Sequence, residues 1–140
     1  MRTSRFLIAG VASAVVFLSA CTKTDMNTIS VSEAESIIPG SYKVATFVDI
    51  AGEGTAYDNY TFQFTSNGDL TATNGTETYT GIWAIENEND PVYDKKVTIT
   101  IAGNSEMDAL NHAWLVEEVT DATLYLTDDT GVASVHFVKN

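Results

Sequence analysis

The strongest constraint on this chain is a two-residue alternation of apolar and polar side chains that starts at Ser41 and runs, broken by tight turns, to the C-terminus. Such alternation gives each strand one apolar face, which an antiparallel sheet buries on one side only. Tyr42, Val44, Thr46 and Val48 share one face of a first strand, with Lys43 and Asp49 on the other. Tyr60 to Thr65 turns Phe62 and Phe64 the same way, Asn67-Gly68 signals a hairpin, and Asp69 to Thr73 returns with Leu70 and Ala72. After a second turn at Asn74-Gly75, Glu77 to Glu86 alternates Tyr79, Gly81, Trp83 and Ile85. Lys95 to Ala102 sets Val97, Ile99 and Ile101 against Lys96, Thr98 and Thr100. His112 to Val119, Thr123 to Thr127 and Val132 to Lys139 complete eight strands, the last two joined around Asp128-Asp129-Thr130-Gly131.

Eight consecutive strands without intervening helices predict an all-β, antiparallel domain. Alternation alone fits two packed sheets as well as an up-and-down barrel. The connections favour the barrel, because a Greek-key sandwich needs long crossovers that only Ile50 to Asn59 and Glu88 to Lys95 can supply. Upstream, Ser32 and Glu35 have capping-box spacing, and Val31, Ala34, Ile37 and Ile38 share a helical face until Pro39-Gly40 stops it. One short N-terminal helix is therefore expected, placed to plug one end of the barrel. Ser105 to Leu110, with Met107 and Leu110 on one face, fits either a helical turn or a loop. Strands of about six to eight residues with Thr, Glu and Lys outward fall short of the span an outer-membrane barrel needs.

Residues 1–20 carry Arg2 and Arg5, then an apolar run from Phe6 to Ala20, the layout of a secretory signal too short to span a membrane comfortably. Leu18-Ser19-Ala20-Cys21 resembles the bacterial lipobox, in which the cysteine is acylated and the chain is cut just before it. That resemblance implies a lipoprotein with Cys21 as the lipidation site, and two or more acyl chains suffice for stable anchoring. Residues 21–30 then form a polar tether, and residues 31–140 the domain. Thr22 stands where an Asp resembles an inner-membrane retention signal, so the expected location is the outer membrane. Thr22-Lys23-Thr24-Asp25 partly resembles the export signal of surface lipoproteins in Bacteroidota, which leaves a periplasmic or a surface-facing orientation open.

Loss of the leader leaves 5 Lys against 19 acids. A balance that acidic argues against nucleic acid, whose phosphates demand clustered Lys and Arg. A single cysteine excludes an internal disulfide and a cysteine-based zinc site.

Gly40-Ser41-Tyr42 at the first strand, Phe62-x-Phe64 followed by Asn67-Gly68, Gly81-Ile82-Trp83, Trp114, and the closing Phe137-Val138-Lys139 together resemble the small lipocalin-like lipoproteins of Bacteroidota over residues 40–139. Tyr42 stands where such chains often carry Trp, and no Arg lies in the domain. The resemblance implies a calyx-like barrel.

The expected inward set is Tyr42, Val44, Phe62, Phe64, Leu70, Trp83, Ile85, Ile99, Ile101, Trp114, Val116, Leu124, Leu126, Val135 and Phe137. An interior of this size either fills with side chains or keeps one small cavity. A cavity lined by Tyr42, Phe62, Trp83 and Trp114 would take a small apolar ligand, oriented by hydroxyl and indole groups. A filled interior would instead make the domain a structural or protein-interaction module, or an inhibitor of a secreted enzyme, acting through Ile50 to Asn59 and Glu86 to Lys95. Glu86-Asn87-Glu88-Asn89-Asp90 with Asp94 offers oxygen donors of the kind calcium prefers, without the order of a known calcium loop, so no metal is expected there. His112 and His136 are not spaced as a ligand pair. Nucleotide, zinc-protease and hydrolase signatures are absent, and adjacent carboxylates such as Glu117-Glu118 or Asp128-Asp129 suit acid–base work poorly. No enzymatic activity and no cofactor are expected. The implied partners are the membrane, through the anchor, and a small hydrophobic ligand or an envelope protein.

Overall fold

The tight turns dictate the topology. In the computed structural model, which describes residues 29–140 except residue 104, Gly68 and Gly75 sit at φ +90° and +88°, the left-handed region their hairpins require. Residues 1–28, with the expected leader, Cys21 and most of the tether, lie outside the described residues.

The described strands are β1 (Gly40–Asp49), β2 (Gly52–Gly54), β3 (Thr61–Phe64), β4 (Asp69–Thr73), β5 (Thr78–Asn87), β6 (Lys95–Ile101), β7 (Ala113–Val119), β8 (Thr123–Thr127) and β9 (Ser134–Lys139). Their order is β2-β1-β3-β4-β5-β6-β7-β8-β9, every pairing is antiparallel, and β1 also pairs with β9. Eight strands thus close a barrel. This is the expected eight-stranded barrel, and the short additional strand β2 lies inside the Ile50 to Asn59 connection, folded back on Phe47 to Asp49 of β1.

All fifteen residues of the expected inward set are buried, as one cluster. The first strand departs from expectation in its second half. Its register against β9 shifts between Val44 and Thr46, so the phase flips and Phe47 is buried instead of Thr46 and Val48. A bulge is the way a strand can turn both Val44 and Phe47 inward, since they are an odd number of residues apart. A second shift between Val116 and Glu118 does the same for Val116 and Val119 in β7.

The helix α1 spans Val31–Ile37, capped two residues earlier than expected. Ser30 accepts from the Glu33 amide at 3.2 Å while Glu33 accepts from the Ser30 amide at 2.7 Å. Ser30-x-x-Glu33 and Ser32-x-x-Glu35 have the same spacing, but the later start leaves barely a turn before Pro39. Ala34 and Ile38 are fully buried beneath the barrel end. The last carbonyls of the helix are satisfied from the barrel: the Tyr42 hydroxyl donates to Ile38 and the Lys139 ammonium to Ile37, each at 2.7 Å.

At the opposite end, Ser105–Leu110 forms a 3-10 helix that buries Met107 and Leu110. Asn111 clamps it down by accepting from the Ile101 amide at 2.6 Å and donating to the Ile101 carbonyl at 3.0 Å. Among the described residues no helix is long and apolar enough to cross a membrane.

Candidate functional site

The four rings expected to line a cavity are buried, and they are held apart by other aromatic residues. Tyr42, Phe62 and Trp114 expose no surface and Trp83 exposes 6%. Phe137 stands between Tyr42, Phe62 and Phe64 at centroid distances of 6.2, 5.3 and 5.6 Å, all edge to face. Trp83 meets Phe64 at 5.8 Å, and Trp114 meets His112 at 5.5 Å. The polar atoms that would orient a ligand are bonded to the chain itself. The Trp83 and Trp114 indole N–H groups donate to the Thr65 and Leu110 carbonyls at 2.9 and 3.0 Å, and Tyr42 is engaged with α1.

The loop end is covered as well. Between β2 and β3 the chain folds Tyr57 and Tyr60 inward, and Tyr57 packs edge-on against Phe47 at 4.9 Å. Their hydroxyls donate to Glu106, Tyr57 to its carbonyl at 2.8 Å and Tyr60 to its carboxylate at 3.2 Å. Burial, aided by nearby carboxylates, pushes both phenols up to about 12. A phenol whose pKa is raised by folding contributes stability in full below its unfolded value, about 10, and loses it as pH climbs through the folded value. Ultraviolet titration of tyrosinate is therefore expected to show Tyr57 and Tyr60 ionising near pH 12 together with loss of near-ultraviolet dichroism. Ionisation of every tyrosine near pH 10 with the fold intact would contradict this cap.

Outside the cap lies an apolar cleft of about 450 Å³. Phe47, Ile50, Ala109, Val132 and Ala133 form its walls, with Asp49, Asp128, Thr130 and His112 at the edge. Ile50 is 93% exposed and Val132 49% exposed, at the tips of the β1–β2 and β8–β9 turns. Asp128 is held as an anion: burial pushes its carboxyl up, but bonds from the Thr130 hydroxyl and the Ala133 and Val132 amides outweigh that and hold it below the usual range. The cleft went unseen in the sequence because turn chemistry predicts polar residues there. Ile50 and Val132 as isolated apolar residues in Gly- and Asp-rich turns were the available signal.

His112 separates this cleft from a second of about 450 Å³ lined by Glu88, Asp90, Lys96 and Asp129. His136 lies on the outside of β9 against Tyr125 at 5.4 Å, so the two histidines belong to different faces. The carboxylates of the Glu86 to Asp94 segment have their own partners. Glu86 and Glu88 pair with Lys96 at 3.4 and 2.9 Å, Asp90 accepts from the Val92 and Tyr93 amides, and Asp94 pairs with Lys95 at 2.8 Å. Among the described residues no group of three or more His, Cys, Asp or Glu side chains is placed to hold a metal ion. Lys95 itself is a buried ammonium, in phase with Val97 and Ile99. It lies close enough to α1 to add a little to the lowering of the Glu33 carboxyl, which comes mainly from the Ser30 amide and hydroxyl.

The closed barrel is similar to solved structures. A lipocalin-like protein from Bacteroides uniformis superposes with a TM-score of 0.53 at 14% identity, covering 73% of this chain and 97% of its own. The fold is lipocalin-like. A DUF4847 family protein from Bacteroides vulgatus superposes with a TM-score of 0.56 at 16% identity, covering 77% of this chain and 97% of its own. No protein-family model and no curated protein matches the chain. The fold alone does not fix where a site lies.

Proposed function

We propose that this is a non-catalytic, lipid-anchored binding protein of the bacterial outer membrane that keeps its barrel full and works through the loops opposite α1. The observation that carries this reading is the interior: Tyr42, Phe62 and Trp83 pack against Phe64 and Phe137, which stand between them, and the polar atoms of Tyr42, Trp83 and Trp114 are bonded to the chain. A ligand bound by Tyr42, Phe62, Trp83 and Trp114 would have to displace those contacts, whereas the loop-end cleft is already open and apolar. Cys21 serves as the anchor, and residues 22 to 28, which precede Ile29 against the core and the Ser30 cap, set the barrel clear of the bilayer by at most about 25 Å. The similarity to lipocalin-like structures supports a role in binding.

The test is native mass spectrometry of the domain after incubation with lipid extracted from its own bacterium. The expected spectrum shows the bare protein mass. A stoichiometric lipid adduct abolished by widening or filling substitutions at Phe62 or Trp114 would move the function into the barrel.

A further inference from the structure

The cations of the described residues are kept off the connections at one end of the barrel. The segments from Asp49 to Tyr60, Asn74 to Glu77, Ala102 to His112 and Asp128 to Ala133, which all emerge opposite α1, hold eight Asp and Glu residues and no Lys or Arg. The lysines of the described residues, Lys43, Lys95, Lys96 and Lys139, all lie on strands. The exposed apolar cleft bounded by Ile50 and Val132 therefore opens among acidic connections, with Asp49 and Asp128 in its lining and no Lys or Arg there, while Lys96 lies beyond His112 in the neighbouring cleft.

Resting on the reading of the loop end as the binding surface, we propose that this cleft receives a cationic polypeptide segment, its aliphatic side chains against Ile50 and Val132 and its Lys or Arg residues against the surrounding carboxylates. Charge complementarity selects the occupant. A second copy of this chain would bring the same acidic connections against itself, and an anionic amphiphile or bilayer face would meet like charge, each at an electrostatic cost. A purely basic segment would find the carboxylates but leave the apolar walls wet. The cleft volume of about 450 Å³ accommodates a few side chains and not a folded surface, which favours an extended segment or a loop tip. Asp128 adds rigidity, because its carboxylate is fixed by the Thr130 hydroxyl and two turn amides while its charge remains.

The test is fluorescence anisotropy with a short fluorescein-labelled peptide of alternating leucine and lysine, titrated with the soluble domain, whose closed barrel and single core are complete within residues 29–140. Saturable binding that weakens as salt is raised is expected. Ile50→Ser with Val132→Ser should weaken it about ten-fold with the thermal midpoint unchanged, since both side chains are exposed. Asp108→Asn with Asp129→Asn should weaken it about three-fold and flatten the salt dependence. A lysine-only peptide should bind more weakly and a leucine–glutamate peptide not at all. Absence of binding, equal binding of the leucine–glutamate peptide, or binding that ignores the Ile50/Val132 double variant overturns the proposal. None of these results depends on whether the barrel interior accepts lipid, so failure of the cationic partner and failure of the filled barrel are separable.

Discussion

Phe137→Ala is expected to lower the stability of the domain by about 3–5 kcal/mol, the range for deleting a fully packed phenyl ring. Phe137 lies on β9, the strand that closes the barrel against β1, and its ring has edge-to-face contacts with Tyr42, Phe62 and Phe64. Removing it takes away the transfer energy of the ring and also strands three aromatic neighbours around a void. They cannot collapse into it, because Tyr42 is tied to Ile38 and Phe62 and Phe64 are fixed by their β3 backbone pairing. For a domain of this size the loss corresponds to a fall of about 10–20 °C in the thermal midpoint. Differential scanning calorimetry checks it. A change within about 0.5 kcal/mol would mean that the aromatic cluster is loosely packed, and the account of a filled interior would fall with it.

Gly81→Ala is expected to cost about 3 kcal/mol although it adds one methyl group. A Cβ at this position would collide with the Thr100 carbonyl oxygen and lie 2.8 Å from the Ile101 Cα, both backbone atoms of β6. Here β5 and β6 approach so closely that no side chain fits between them, and the only relief is to pull the strands apart. The reason is steric and not conformational, which separates it from Gly75. At Gly75 no atom lies within 4 Å, and the positive φ of 88° alone makes alanine unfavourable, by about 1 kcal/mol. Chemical denaturation of the two variants side by side should rank Gly81→Ala clearly below Gly75→Ala. The reverse order would place the barrel's tight corner elsewhere.

The barrel was legible in the sequence where local chemistry determines structure. Asn67-Gly68 and Asn74-Gly75 impose their hairpins whatever surrounds them, and the alternation from Tyr79 to Ile85 or Val97 to Ile101 fixes which face goes inside. What was not legible depends on contacts distant in sequence. Nothing local in Val44-Ala45-Thr46-Phe47 announces a bulge; it forms because the opposing β9 and the core want both Val44 and Phe47. Tyr57 and Tyr60 resemble ordinary loop residues until Glu106, more than forty residues away, supplies their hydrogen-bond partner. The two equally spaced capping boxes were decided by the room left before Pro39. Periodicity places the rings of Tyr42, Phe62, Trp83 and Trp114 in the interior, where they lie, but it reports the direction of a side chain and not whether space remains beside it. The cleft at Ile50 and Val132 was hidden for a related reason, since it joins two turns about eighty residues apart that only barrel closure brings together.

The central claim, a barrel filled by its own side chains with its binding surface outside, is tested most directly by crystals of the native domain and of Phe137→Ala held under xenon. Xenon enters apolar voids and ignores packed cores. A filled barrel holds no xenon in the native domain and takes up one atom at the vacated Phe137 position in the variant. Xenon on the axis of the native barrel, among Tyr42, Phe62, Trp83 and Trp114, would contradict it and return the function to an internal ligand.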